Sequence, residues 1–289
     1  MALDGAFLYT IKTELMPLIG ARVEKIHQPS REEIIISLRT KQGGKKLFIS
    51  ANAGSARVHM TEKSVDNPQT PPMFCMLLRK HLGSGKLIDV RQDGLERILF
   101  LDFECVNELG DVVTVTLACE IMGRCSNLII IGNDGHVIDS IKRVGEDMSR
   151  ERMVLPGMKY TMPPRDDRLS FLTATPQEIT DRLRAVGGTE LSKALIRVFE
   201  GISPVLAREW SFFASRGAHL ESDTIDGDQL DRLLFAIKRT KEQLLENDCC
   251  FSVVMDKEGM LKDFSFIRLS QFGTLMYTKE LTGASELLD

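Results

Sequence analysis

The chain has 289 residues, 43% hydrophobic and 27% charged, which excludes a disordered, collagen-like or disulfide-stapled polypeptide and allows one large domain or two to three smaller ones. A formal net charge of -4 excludes a protein that coats nucleic acid over its whole surface; yet residues 1–90 carry +5 and the remainder -9, so a basic face on the first third can still steer an anionic partner. Apolar runs such as Leu128 to Ile131 fall far short of the ~20 residues that span a bilayer, and Met1-Ala2-Leu3-Asp4 lacks a basic n-region, so no membrane partner and cytoplasmic residence are expected.

Phe7, Leu8, Ile11, Leu15 and Leu18 recur at helical spacing after Asp4, an N-cap residue type, and Gly20 closes this first helix. Strands are predicted over 22–27, 33–39, 46–51 and 57–61, with Gln42-Gly43-Gly44 as a hairpin turn. A second helix starts at Pro71-Pro72 and ends in Arg79-Lys80-His81, basic residues that complement a helix C-terminus. Further strands are predicted over 87–91, 97–105, 112–120, 127–131 and 137–144, an antiparallel meander and not alternating βαβ units.

Composition changes at Pro156-Gly157 and again at Pro163-Pro164-Arg165-Asp166-Asp167-Arg168, read as a surface linker. Helices follow over 176–186, 190–199, 204–214 and 228–246, then strand character over 251–269 with Lys257-Glu258-Gly259 as the turn. The organisation expected is an α+β unit over 1–170, a helical unit over 171–225, and a helix with a returning hairpin over 226–289.

Gly83-Ser84-Gly85-Lys86 follows a helix and precedes a strand, with Leu87 where a P-loop needs a hydroxyl, so it reads as a helix-ending loop. Six cysteines show no metal-ligand spacing and are read as reduced thiols; no cofactor or metal ion is expected. Phe199-Glu200-Gly201-Ile202-Ser203-Pro204 between two helices is either an ordinary corner or a helix-hairpin-helix turn whose backbone N–H groups meet a phosphate. Glu96-Arg97 at the mouth of a strand and Arg124 in Met122-Gly123-Arg124-Cys125 allow a surface ion pair and a β-turn. The alternative is that both arginines present forked donors to phosphates or base edges.

The segments Lys25-Ile26-His27-Gln28-Pro29, Arg57-Val58-His59-Met60-Thr61, Pro71-Pro72-Met73-Phe74-Cys75-Met76-Leu77-Leu78-Arg79-Lys80-His81, Glu120-Ile121-Met122-Gly123-Arg124-Cys125-Ser126-Asn127 and Leu155-Pro156-Gly157 together resemble the NFACT family. This is the family of bacterial RqcH and eukaryotic NEMF, whose bacterial members carry the older label fibronectin-binding protein A. The resemblance implies an NFACT-N domain, similar to the N-terminal domain of formamidopyrimidine-DNA glycosylases, followed by a helix-hairpin-helix domain. Family members continue into a coiled coil and a C-terminal RNA-binding domain that this sequence lacks.

The function the resemblance implies is binding of tRNA, alanyl-tRNA above all, and of a large ribosomal subunit holding peptidyl-tRNA, in ribosome-associated quality control. Alanine tailing then proceeds without mRNA, the ribosome making the peptide bonds. The family's early Asp matches Asp4, and its Asp-Arg pair aligns with Glu96-Arg97, where Glu replaces Asp and moves the carboxylate one methylene out. Arg124 joins these as a tRNA-binding candidate, Arg79 and Lys80 follow as weaker ones, and Gly201 is expected to shape the hairpin backbone. Ala2 stands where related glycosylases use a proline amine, so no enzymatic base excision is expected. A fibronectin-binding surface adhesin is the competing expectation.

Overall fold

The computed structural model describes residues 3–274 and 276–289. Asp4 opens α1 (Gly5–Leu15) by accepting the Phe7 N–H at 2.6 Å, which satisfies one of the donors a helix start leaves orphaned. Phe7, Leu8, Ile11 and Leu15 are buried, so α1 is a core helix. A 3-10 turn over Met16–Leu18 follows.

A nine-stranded antiparallel sheet dominates the molecule. One half runs β1 (Arg22–Ser30), β2 (Glu33–Thr40), β3 (Gly43–Ser50) and β4 (Arg57–Thr61); the other runs β5 (Lys86–Arg91), β6 (Ile98–Val106), β7 (Val112–Glu120), β8 (Asn127–Ile131) and β9 (Val137–Ser140). The order is β4-β3-β2-β1-β5-β6-β7-β8-β9, and the halves meet where Arg22 pairs with Lys86. Helix α2 (Met73–Leu82) lies against β1 and β6 and ends at Gly83, whose N–H reaches the Arg79 carbonyl at 3.0 Å.

Strand β6 is buried on both faces. Leu99, Leu101 and Phe103 enter the main core with α1, while Ile98 and Phe100 enter a second cluster with Ala118, Ile129, Val137 and Val154. Residues 144–162 cover that cluster and are held by a triad centred on buried Glu120. Arg152 forks onto Glu120 at 2.6 and 2.9 Å, and the Tyr160 hydroxyl donates to the same carboxylate at 2.9 Å. The mutual fork makes the burial of Glu120, 1% exposed, tolerable.

Helices α3 (Pro176–Val186), α4 (Leu191–Val198), α5 (Pro204–Ser215) and α6 (Gly227–Leu245) follow the 3.6-residue pattern of their sequence. Trp210 is their centre: Phe171 and Phe199 meet its ring edge-to-face at 5.4 and 5.7 Å, and its Nε1 donates to Thr240 at 2.9 Å. The chain ends in β10 (Phe251–Met255), β11 (Leu261–Ser265), β12 (Tyr277–Leu281) and α7 (Ala284–Leu288), the strands ordered β11-β10-β12. The sequence predicts the β10–β11 hairpin but not β12, an exposed edge whose residues show no apolar alternation. Phe251, Phe264 and Phe266 converge edge-on around Phe7 of α1, joining the last elements to the first.

The architecture is α+β with a mainly antiparallel sheet. No helix among the described residues is long and apolar enough to cross a membrane.

Candidate nucleic-acid interface

Three segments far apart in sequence meet at two glycines that bear on Leu95. A Cβ on Gly5 would collide with the Leu95 carbonyl oxygen, and one on Gly201 would lie 2.8 Å from that same oxygen. The Ala6 N–H donates to the Gly201 carbonyl at 2.9 Å, and Gln92 Nε2 donates to the carbonyls of Gly5 and Glu96, both at 2.9 Å. Glycine is therefore required at Gly201 twice over, by close approach and by a left-handed φ of +67°. This junction pins the start of α1, the 92–97 turn and the α4–α5 corner onto one another.

A cleft of about 330 Å³ opens beside the junction, lined among others by Asp4, Glu96, Arg97, Arg165, Glu200 and Ser203. Asp4 is buried, and burial pushes its carboxyl up to about 6, against the hydrogen bonds from Phe7 and Ser203 and the nearby Arg97 charge. Its carboxylate thus faces the starts of both α1 and α5, where Ser203 is the N-cap and accepts the Leu206 N–H at 3.3 Å. Of the hairpin donors the sequence offers for a phosphate, those of Ser203 act on this internal carboxylate.

Glu96 does not pair with Arg97. Its Oε1 meets Arg165 Nε at 3.1 Å, and Arg165 also binds Asp93. Burial raises the Glu96 carboxyl above its usual range, Arg165 opposes that shift, and Glu200 and Asp93 add to it. Arg97 lies close enough to Asp4 and Glu96 to act on both charges, yet among the described residues it makes no side-chain hydrogen bond or ion pair.

The cleft brings together Asp4, Glu96, Arg97 and Gly201. Arg124 is exposed on a 3-10 turn over Gly123–Cys125, two residues beyond Met122, which lines the cleft. Arg79 and Lys80 lie elsewhere: Arg79 Nε donates to the Ile26 carbonyl at 2.8 Å, tying α2 to β1, and Lys80 pairs with Glu108 at 2.8 Å on the surface. Sequence reasoning missed Arg165, Glu200 and Ser203. The Pro163-Pro164 entry to Arg165 was a usable signal, because consecutive prolines stiffen the segment that delivers it.

Among the described residues no group of three His, Cys, Asp or Glu side chains could hold a metal ion, and all six cysteines are free.

The pattern of NFACT N-terminal and middle domains matches residues 4–289. The chain belongs to the NFACT family. Among its NFACT relatives, the Rqc2 homolog RqcH of Bacillus subtilis (strain 168) is 40% identical over 211 residues, 72% of this chain and 37% of that protein. The ribosome quality control complex subunit NEMF of Homo sapiens is 21% identical over 228 residues, 78% of this chain and 20% of NEMF. The N-terminal structure of the fibronectin/fibrinogen-binding protein from Streptococcus suis superposes with a TM-score of 0.80 at 29% identity, covering 100% of this chain and 98% of that one. The chain spans under two fifths of the length of the curated NFACT relatives it matches.

Proposed function

We propose that this chain binds tRNA and the large ribosomal subunit as part of a ribosome-associated quality control factor, supporting mRNA-independent C-terminal alanine tailing of stalled nascent chains. It acts as a binding factor and not as an enzyme, in the cytoplasm. The observation that carries the reading is Arg97, whose guanidinium makes no side-chain hydrogen bond or ion pair among the described residues and lies at a polar cleft built from three converging segments. A guanidinium presents a planar fork that matches phosphate oxygens or a base edge, and leaving it unpaired keeps that fork available. Glu96, part-exposed beside it, supplies an acceptor for base amino groups, buried Asp4 adds negative charge behind Arg97, and exposed Arg124 adds a cation one short turn away. The kinship with proteins named for ribosome quality control supports the same partner class.

The test is a tRNA titration of wild type, Arg97→Lys, Arg97→Ala and Arg124→Ala at two salt concentrations. Each alanine variant should lose on the order of 1–3 kcal/mol, and Arg97→Lys should also lose affinity, because an ammonium cannot copy the fork. Binding should weaken with salt. Four superimposable curves would remove these arginines from the interface. The Streptococcus suis relative is named for fibronectin and fibrinogen, so immobilised fibronectin is the second arm. Saturable fibronectin binding with no tRNA binding would replace this reading with the adhesin.

A further inference from the structure

Arg165 reaches the cleft from the 163–168 segment, separate in sequence from the 92–97 turn and the α4–α5 corner. It follows Pro163-Pro164, and its guanidinium meets Asp93 and Glu96 of the 92–97 turn, about seventy residues earlier in the chain. Glu200 of the α4–α5 corner also acts on its charge, so one cation serves three carboxylates from two different parts of the fold. Arg168, three residues on, is taken up by Asp166 and does not share this duty.

Glu96 has two arginines within electrostatic reach, its sequence neighbour Arg97 and the distant Arg165. The contact it makes is with Arg165. Remove that partner, and a half-buried carboxylate beside Asp93 and Glu200 is left with Arg97 as the remaining cation among those that act on it. A half-buried carboxylate left beside two others gains by closing on the cation that remains.

We propose that Arg165 is a positioning residue for Arg97: by holding Glu96 and Asp93 it keeps Glu96 off the neighbouring guanidinium, and so leaves the Arg97 fork open to RNA. This rests on the RNA-binding reading of the cleft for its consequence, but the rearrangement itself does not. The same contact joins the segment that links the sheet to the helical module with the turn that carries Arg97. The interface is therefore set only when that linker is in place.

The test has two arms. Side-chain NMR of Arg97 in wild type, Arg165→Ala and Arg165→Ala/Glu96→Gln reads the rearrangement directly, without RNA. The Arg97 Nε–H signal should move in Arg165→Ala, as Glu96 captures the guanidinium, and return toward the wild-type position when Glu96 can no longer do so. An Arg97 signal that ignores Arg165→Ala overturns the proposal. In the second arm, Arg165→Ala should weaken tRNA binding roughly five- to tenfold, and Arg97→Ala/Arg165→Ala should bind no worse than Arg97→Ala alone. Additive losses would make Arg165 an independent contact and overturn its role through Arg97. Thermal unfolding of Arg165→Ala should match wild type, because its ion pairs are partly exposed; a large drop would make it a structural residue. If Arg97→Ala binds tRNA as well as wild type, the RNA-binding reading fails, and the Arg97 signal alone decides whether Arg165 governs Arg97.

Discussion

Asp4 is folded into a place that opposes its own ionisation. Burial lifts its carboxyl to about 6, above an ordinary value of 3.8. Below pH ~4 the folded and unfolded chains both hold the proton, and the full stability is present. As pH rises, the unfolded chain releases its proton first, so stability falls until the folded carboxyl has ionised past pH 6. A rise of that size corresponds to roughly 3 kcal/mol. Asp4→Asn keeps an oxygen to accept the Phe7 N–H and has no proton to lose. The stability of Asp4→Asn minus that of wild type, from urea unfolding, should therefore grow by on the order of 2–3 kcal/mol between pH 4 and pH 7.5. A difference that stays flat with pH would show that Asp4 titrates normally.

At the scale of elements, the junction of α1, the 92–97 turn and the α4–α5 corner depends on Gly5 and Gly201, and only Gly201 adds a left-handed φ to the close approach. A left-handed φ costs a residue with a side chain roughly 1–2 kcal/mol, and a β-branched one more; the collision with Leu95 adds to that. Gly201→Val should therefore lower stability by at least about 2 kcal/mol, read as a fall in the urea midpoint at unchanged slope. A midpoint equal to wild type would mean the corner can detach from Leu95 without loss. The strands and helices around this junction were legible because their apolar residues keep period 2 or 3.6, as in β7 against α6. The exposed edge β12 has no such pattern, and its pairing with β10 cannot be read locally. The site was half legible for the same reason. Asp4 and Arg97 stand at element ends, where a cap or a strand mouth is visible in sequence. The partner of Glu96, by contrast, depends on Arg165 arriving through tertiary structure, and adjacency in sequence pointed to Arg97 instead.

For the whole molecule, the composition change near residue 170 raises the question of whether residues 1–170 fold as an independent unit. The packing predicts that they do so poorly. Phe7 is 2% exposed and meets Phe251, Phe264 and Phe266 edge-to-face, and all three lie beyond residue 170. Glu14 of α1 accepts the Ala284 and Ser285 N–H groups at the start of α7, and the Ser285 hydroxyl accepts the Met60 N–H of β4 at 3.0 Å. The start of α1 also rests on Gly201. A polypeptide of residues 1–170 would thus expose one face of its central helix and the β4 edge together. It should unfold at a clearly lower urea concentration than the 289-residue chain and bind a hydrophobic dye that the longer chain does not. Phe7→Ala in the full 289-residue chain isolates the aromatic part of this coupling. Emptying a site lined by three rings should cost about 3–5 kcal/mol, while unfolding stays a single transition, because the helix and the returning strands lose the same contact. Residues 1–170 unfolding at the same denaturant concentration as the whole chain would make the C-terminal strands and α7 an appendage. The coupling described here predicts instead that they close the core that the first helix begins.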